Sequence, residues 1–283
     1  MRVSPALLYD FGKPGQHRLA TQGLTLFVLD QAANTIYRLK LTARGDAIDG
    51  PGPEQVVAKG MTVGKRQVGD LIDLVWVEAG GLRLKSALVA LDRGGLIEYD
   101  PSFGPSAIAF DMTNVPPGVY RLDTYGGNLY LLDVARRQVW RYLPSTEGYP
   151  GQPESYFSAS PPGIEKVIDM AIDGRVYLLE ANGTLHKYLQ GKEEPFTPTG
   201  LLTPIRQPVA LAVDPAAENG SHVYVAALDG ARVVQFAADG KYVRQVRATG
   251  SEFDAIEDLL VDERAGRLYV ISGGRLYTTA LPP

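Results

Sequence analysis

The sequence contains no cysteine. Disulfides, thiolate nucleophiles and thiolate metal ligands are therefore excluded, and the compartment stays open because a chain of this length buries a core without staples. Histidine is scarce: His17, His186 and His222 are the three in 283 residues, and none stands at a metal-ligand spacing from another. No Gly-x-Ser-x-Gly elbow or phosphate-cradling loop occurs. Gly126-Gly127 and Gly273-Gly274 precede no helical pattern and read as hairpin turns, not anion sites. No apolar run approaches the roughly 18 residues that cross a bilayer, and Met1-Arg2-Val3-Ser4-Pro5 lacks the apolar stretch of a signal peptide. An excess of basic charge is missing too: 28 Lys and Arg stand against 32 Asp and Glu, a net charge of −4 that speaks against nucleic-acid binding.

What is present is a repeat. A short apolar strand ending in a turn residue recurs at Phe27–Asp30, Val89–Asp92, Tyr130–Asp133, Tyr177–Glu180, Tyr224–Ala227 and Tyr269–Ser272, spaced by 41 to 62 residues. Strand repeats of this period indicate a toroidal array of small sheets. Around the third copy, Val119–Tyr125 reads as a strand, Gly126–Asn128 as a tight turn, Leu129–Asp133 and Val139–Leu143 as further strands, and Tyr156-Phe157 as a short fourth. Four antiparallel strands in about 45 residues is a propeller blade.

The same pattern predicts an all-β, six-bladed β-propeller of four-stranded blades in a single domain over 1–283, with blades near 16–60, 68–113, 118–158, 164–203, 207–248 and 254–279. Blade two carries an inserted hairpin around Gly80–Ser86, and the outer strands of blades two and four are expected at Ala107–Asp111 and near Pro195–Thr197. Blade six lacks its outermost strand, so the N-terminal segment 3–11 is expected to complete it and close the ring.

Counting back four residues from the ends of the first strands gives Arg18, Asp73, Arg121, Asp169, Ala210 and Asp258. The first strands of a propeller line its central channel, so these positions form a ring of nearly alternating charge. One reading makes it structural, because buried charges must be paired. The other makes it a site, in which Ala210 leaves a gap beside Asp169 and Asp258 for an amine, a hard cation or a polar small molecule. On that second reading Arg18, Asp73, Arg121, Asp169, Asp258 and Arg206 are the candidate ligand-binding residues, with His17 and Arg66 also near first-strand starts. No catalytic residue, metal ligand or cofactor is assigned, apart from that channel cation. Asp30, Arg93, Arg136, Arg137, Asn182, Asp229, Arg232 and Arg275 fall in turns between second and third strands and read as a solvated rim. The loop Pro144–Phe157 reads either as a proline-stiffened connection or as a peptide-binding loop with Tyr149 exposed. Asn182-Gly-Thr184 and Asn219-Gly-Ser221 are glycosylation sequons, meaningful only in a eukaryotic secretory setting.

Blade five resembles an NHL repeat: Pro208–Asp214 is a Pro-started strand ending in Asp, followed by Val223-Tyr-Val225, Gly230-Ala-Arg-Val-Val-Gln-Phe236 and Asp239-Gly240. Blade six matches through Asp262, Gly266, Leu268–Val270 and Arg275-Leu276. The resemblance implies a non-enzymatic propeller that binds a small polar or cationic ligand, or a protein or peptide partner, and not nucleic acid. It further implies a sensor domain in the extracytoplasmic part of a larger membrane-anchored signalling protein, which the close fit of the repeats to both ends of the chain agrees with. The alternative is a metal-dependent hydrolase or lactonase similar to the gluconolactonase-like six-bladed enzymes, which hold one metal through a Glu, an Asn and an Asp from different blades. Arg18 and Arg121 oppose a divalent ion in such a place.

Overall fold

The computed structural model describes residues 1–111, 120–214 and 221–281. The start of the strand expected at Val119 and the Asn219 sequon lie outside the described residues. The fold is all-β, a six-bladed β-propeller of small antiparallel sheets, and the single helical turn among the described residues is Ile164–Lys166.

The second strand of each blade explains the repeat. Ala87–Asp92, Val176–Glu180 and Val223–Ala227 are buried at every residue. A strand covered on both faces reads as a continuous apolar run and does not alternate. The outer strands of blades two, three and four, which are short and polar, fall elsewhere than the sequence pattern suggests. Blade four ends on Lys192–Glu194, not near Pro195, and blade three on Glu154–Ser155, not on Tyr156-Phe157. In blade two Gly104–Ala107 is the outer strand, while Ala109–Phe110 leaves the blade to pair in parallel with Gly148–Tyr149.

The chain forms two compact units. One comprises residues 18–39 and 53–165 and carries blades two and three with most of blade one; the other comprises 1–17, 40–52 and 166–283 and carries blades four to six. In the second unit Ala6–Asp10 pairs antiparallel with Arg275–Ala280 and completes blade six, as the sequence required. Before it, Arg2–Val3 adds a parallel fifth strand to blade five, pairing with Arg247 and Ala248, a contact that two residues of sequence could not announce.

Candidate functional site

The charged ring positions divide between the units: Arg18, Asp73 and Arg121 in one, Asp169 and Asp258 in the other, which also holds Ala210 and Arg206. Within each unit the acids work on the backbone. Asp73, 4% exposed, accepts the Leu74 amide at 2.9 Å and, from the next blade, the Leu122 amide at 2.8 Å. Asp169 does the same in blade four, taking Met170 N–H at 3.1 Å and Leu211 N–H of blade five at 2.7 Å. Asp258 accepts Leu259 N–H at 2.9 Å. Each acid thus satisfies its own strand and, in the two cases where both oxygens are defined, the strand of a neighbour that has Arg121 or Ala210 at the matching place. One carboxylate serves two blades, so an acid is needed only in alternate blades. Ala210 is fully buried. Arg18 and Arg121 are half-buried and Arg206 is exposed.

Acids that end second strands, or stand in the turn after one, also hold loops. Asp92, fully buried, accepts the amides of Gly69 and Gly94 and pairs with Arg66 at 2.6 Å. Asp133 takes the Arg136 amide and the Trp140 indole. Asp229 accepts the amides of Arg206 and Gln207 and the Arg232 guanidinium. Burial raises the Asp229 carboxyl, but those two amides and the guanidinium outweigh it and hold the group below the usual carboxylate range. Arg232, expected in a solvated rim, is 1% exposed and also binds Pro204 O at 2.8 Å and Gln245 at 3.2 Å. A guanidinium with several fixed acceptors can be buried where an isolated one cannot. Tyr149 is likewise buried, with its hydroxyl on Gly127 O at 2.9 Å; the segment around it is a packed connection and does not expose that ring.

Each histidine meets a glutamate. His222 and Tyr224 converge on Glu263, and His186 lies between Glu180 and Glu193. The third pair differs in place. His17 begins the first strand of blade one and Glu257 stands near the start of the first strand of blade six, with Nδ1 and Oε2 2.6 Å apart. A carboxylate only accepts, so this contact puts the imidazole proton on Nδ1. The other carboxylate oxygen accepts Gly274 N–H at 2.8 Å. The His17 side chain is fully buried and Glu257 is 12% exposed, so Glu257 is the more accessible member of the pair. These residues are 240 apart in sequence, and no linear motif could have flagged them.

The metal implied by the gluconolactonase-like alternative does not fit these residues. Among the described residues no three His, Asp or Glu groups converge as ligands, and the oxygens of Asp73 and Asp169 are directed to backbone amides.

No protein-family model and no curated protein matches the sequence. Solved structures match its fold along nearly the whole chain. A gluconolactonase from Xanthomonas campestris is similar at 13% identity with a TM-score of 0.61, over 99% of this chain and 95% of its own. A regucalcin from Agrobacterium tumefaciens, described as calcium-binding, gives 14% and 0.57 over 97% and 90%. A virginiamycin B lyase from Staphylococcus aureus gives 10% and 0.58 over 99% and 88%. The expectation of a non-enzymatic sensor domain is corrected by these likenesses, which lie with gluconolactonase and lyase propellers. That expectation rested on the NHL likeness of blade five, which describes a strand pattern and not an activity. The fold of this chain is a six-bladed propeller like that of the Xanthomonas gluconolactonase.

Proposed function

We propose that this protein is an enzyme of the gluconolactonase-like six-bladed kind, acting on a small cyclic ester by acid–base chemistry at Glu257. The observation that carries the reading is the His17–Glu257 contact, a buried imidazole holding a partly exposed carboxylate at first-strand starts. The likeness to gluconolactonase and lyase structures supports an enzyme over a sensor. In the reaction the Glu257 carboxylate takes a proton from water as the water oxygen attacks the acyl carbon. The ring C–O bond then breaks, and the leaving alkoxide receives that proton, giving the hydroxy acid. His17 is a positioning residue: its Nδ1–H orients the carboxylate, and Gly274 N–H holds the second oxygen.

Arg18, Arg121 and Arg206 remain candidates for ligand contact, whereas Asp73, Asp169 and Asp258 are read as blade connectors. The partner in this reading is a small molecule. The NHL likeness of blade five is kept as a description of its strand pattern, in which Arg232 is a packing residue. The test is turnover of a lactone panel by the full chain, with and without added divalent ion. Positioned acid–base catalysis contributes roughly 10²–10⁴-fold. Glu257→Gln should therefore lower kcat by about 100-fold or more, and His17→Gln should shift the pH profile as well as the rate. Absence of lactone turnover by the unaltered protein under every condition sinks the proposal.

A further inference from the structure

Three arginines stand in one cross-strand row of blade five. Arg232, which opens the third strand Arg232–Phe236, is directly opposite Arg247 on the fourth, Tyr242–Ala248, and Arg247 is opposite Arg2 on the added parallel strand. Directly opposed residues project from the same face of a sheet. Their alternates Val3, Val233, Val246 and Ala248 enter an apolar cluster on the other face, which fixes the direction of the arginines. The Arg247 and Arg232 side chains meet over the turn at Gly230. The place where a Cβ would sit on that glycine is 3.0 Å from Arg247 Nη2 and 3.8 Å from Arg232 Cδ, so the missing side chain leaves room for both.

Like charges directly opposed in a sheet repel, and this row is only partly compensated. Asp229 pairs with Arg232 at 2.8 Å and spends its other oxygen on the amides of Arg206 and Gln207. Among the described residues no second carboxylate pairs with the row, and Arg2 donates only to the Ala248 carbonyl, at 3.5 Å. The Nε atoms of Arg232 and Arg247 are buried without an acceptor. Arg232 is 1% exposed, Arg247 half-buried and Arg2 exposed, so the row runs from the interior to the surface. We infer that Arg247 and Arg2 bind a phosphate group, free or on a small organic ester, with Arg232 and Asp229 fixing the inner end of the row. Three guanidinium charges against one carboxylate leave two, which calls for a dianion. A phosphate carries about −1.5 to −2 near neutral pH, and its oxygens match guanidinium forks. A monocarboxylate would balance only one of the two charges. The site shares no residue with the His17–Glu257 pair.

The full chain is titrated calorimetrically at low ionic strength with inorganic phosphate, glucose 6-phosphate, sulfate and acetate, and melting temperatures are followed alongside. Phosphate and sulfate should bind and raise the melting temperature. Acetate should bind roughly 10-fold more weakly, and added sodium chloride should weaken the phosphate. Arg247→Gln and Arg2→Gln should each lower phosphate affinity about 10-fold or more. Arg247→Lys keeps the charge but loses the fork, and should fall between. With no anion present both glutamine variants should melt no lower than the unaltered protein, since each removes a like-charge contact. Tighter binding of glucose 6-phosphate than of phosphate assigns the ligand to an organic ester, and equal or weaker binding assigns it to the free ion. No binding of either phosphate, acetate binding as tight as phosphate, unchanged affinity in both glutamine variants, or a lower anion-free melting temperature in both overturns the inference.

Discussion

Replacing Asp169 by Asn tests whether the alternating acids hold the blades. The carboxylate is 5% exposed and receives Met170 N–H at 3.1 Å and Leu211 N–H at 2.7 Å, one from its own blade and one from the next. Asparagine keeps the shape but offers a single acceptor oxygen. Its NH₂ must then face one of two amide donors, so one hydrogen bond is lost and a buried N–H is left opposed by another donor. Hydrogen bonds to a charged group contribute about 1.5–3 kcal/mol, and an unsatisfied buried donor costs about 1–3 kcal/mol. The two losses overlap, and a destabilisation of about 3 kcal/mol is expected. At 2–4 °C per kcal/mol for chains of somewhat smaller size, the melting temperature should fall by about 6–12 °C. Urea unfolding at neutral pH, with calorimetry alongside, checks this, and the m-value should be unchanged because the exposed surface is the same. If Asp169 instead served a ligand, its removal would leave the free protein as stable or more stable, as removing strained site residues often does. A change below about 0.5 kcal/mol, or a gain, refutes the reasoning.

Ala210→Asp should also destabilise: the position is fully buried, and the Leu211 and Leu259 amides that a new carboxylate would seek are already taken by Asp169 and Asp258. Denaturant midpoints decide it, and an unchanged midpoint refutes it. Burial pushes the phenols of Tyr149, Tyr188 and Tyr269 up to about 12; burial and the Asp173 charge push Tyr177 further up, and burial and the hydrogen bond to Glu263 do the same for Tyr224. Raised acids give stability that is complete below the unfolded value near 10 and is lost as pH climbs through 10 toward 12. Phenolate absorbance followed together with circular dichroism should therefore show these rings ionising only as the fold is lost; a smooth titration in a folded protein contradicts it. Calcium or zinc should leave the melting temperature unchanged, since no three ligating groups converge among the described residues. A metal at 100 times its Kd would add about 2.7 kcal/mol, so a rise of several degrees would overturn the misfit.

The sequence by itself determined the blades. Second strands such as Val176–Glu180 and Val223–Ala227 are packed on both faces, so burial is written directly into residue type and the repeat is visible. It also determined that Ala6–Asp10 must complete blade six, because the count of strands left one place unfilled. Outer strands were legible only loosely, since an edge such as Lys192–Glu194 has little packing to constrain its composition. Only the tertiary structure decided what the polar residues do. In sequence Asp169 and Glu257 are both acids near the start of a first strand, differing by one place in register. A bulge separates them: the paired Asp169 turns to two amides, while the bulged Glu257 meets a histidine from the other end of the chain. Hydrophobic burial is a local property repeated in every blade and so can be read residue by residue. The partner of a buried charge is set by which strands the fold brings together, and linear order does not record that.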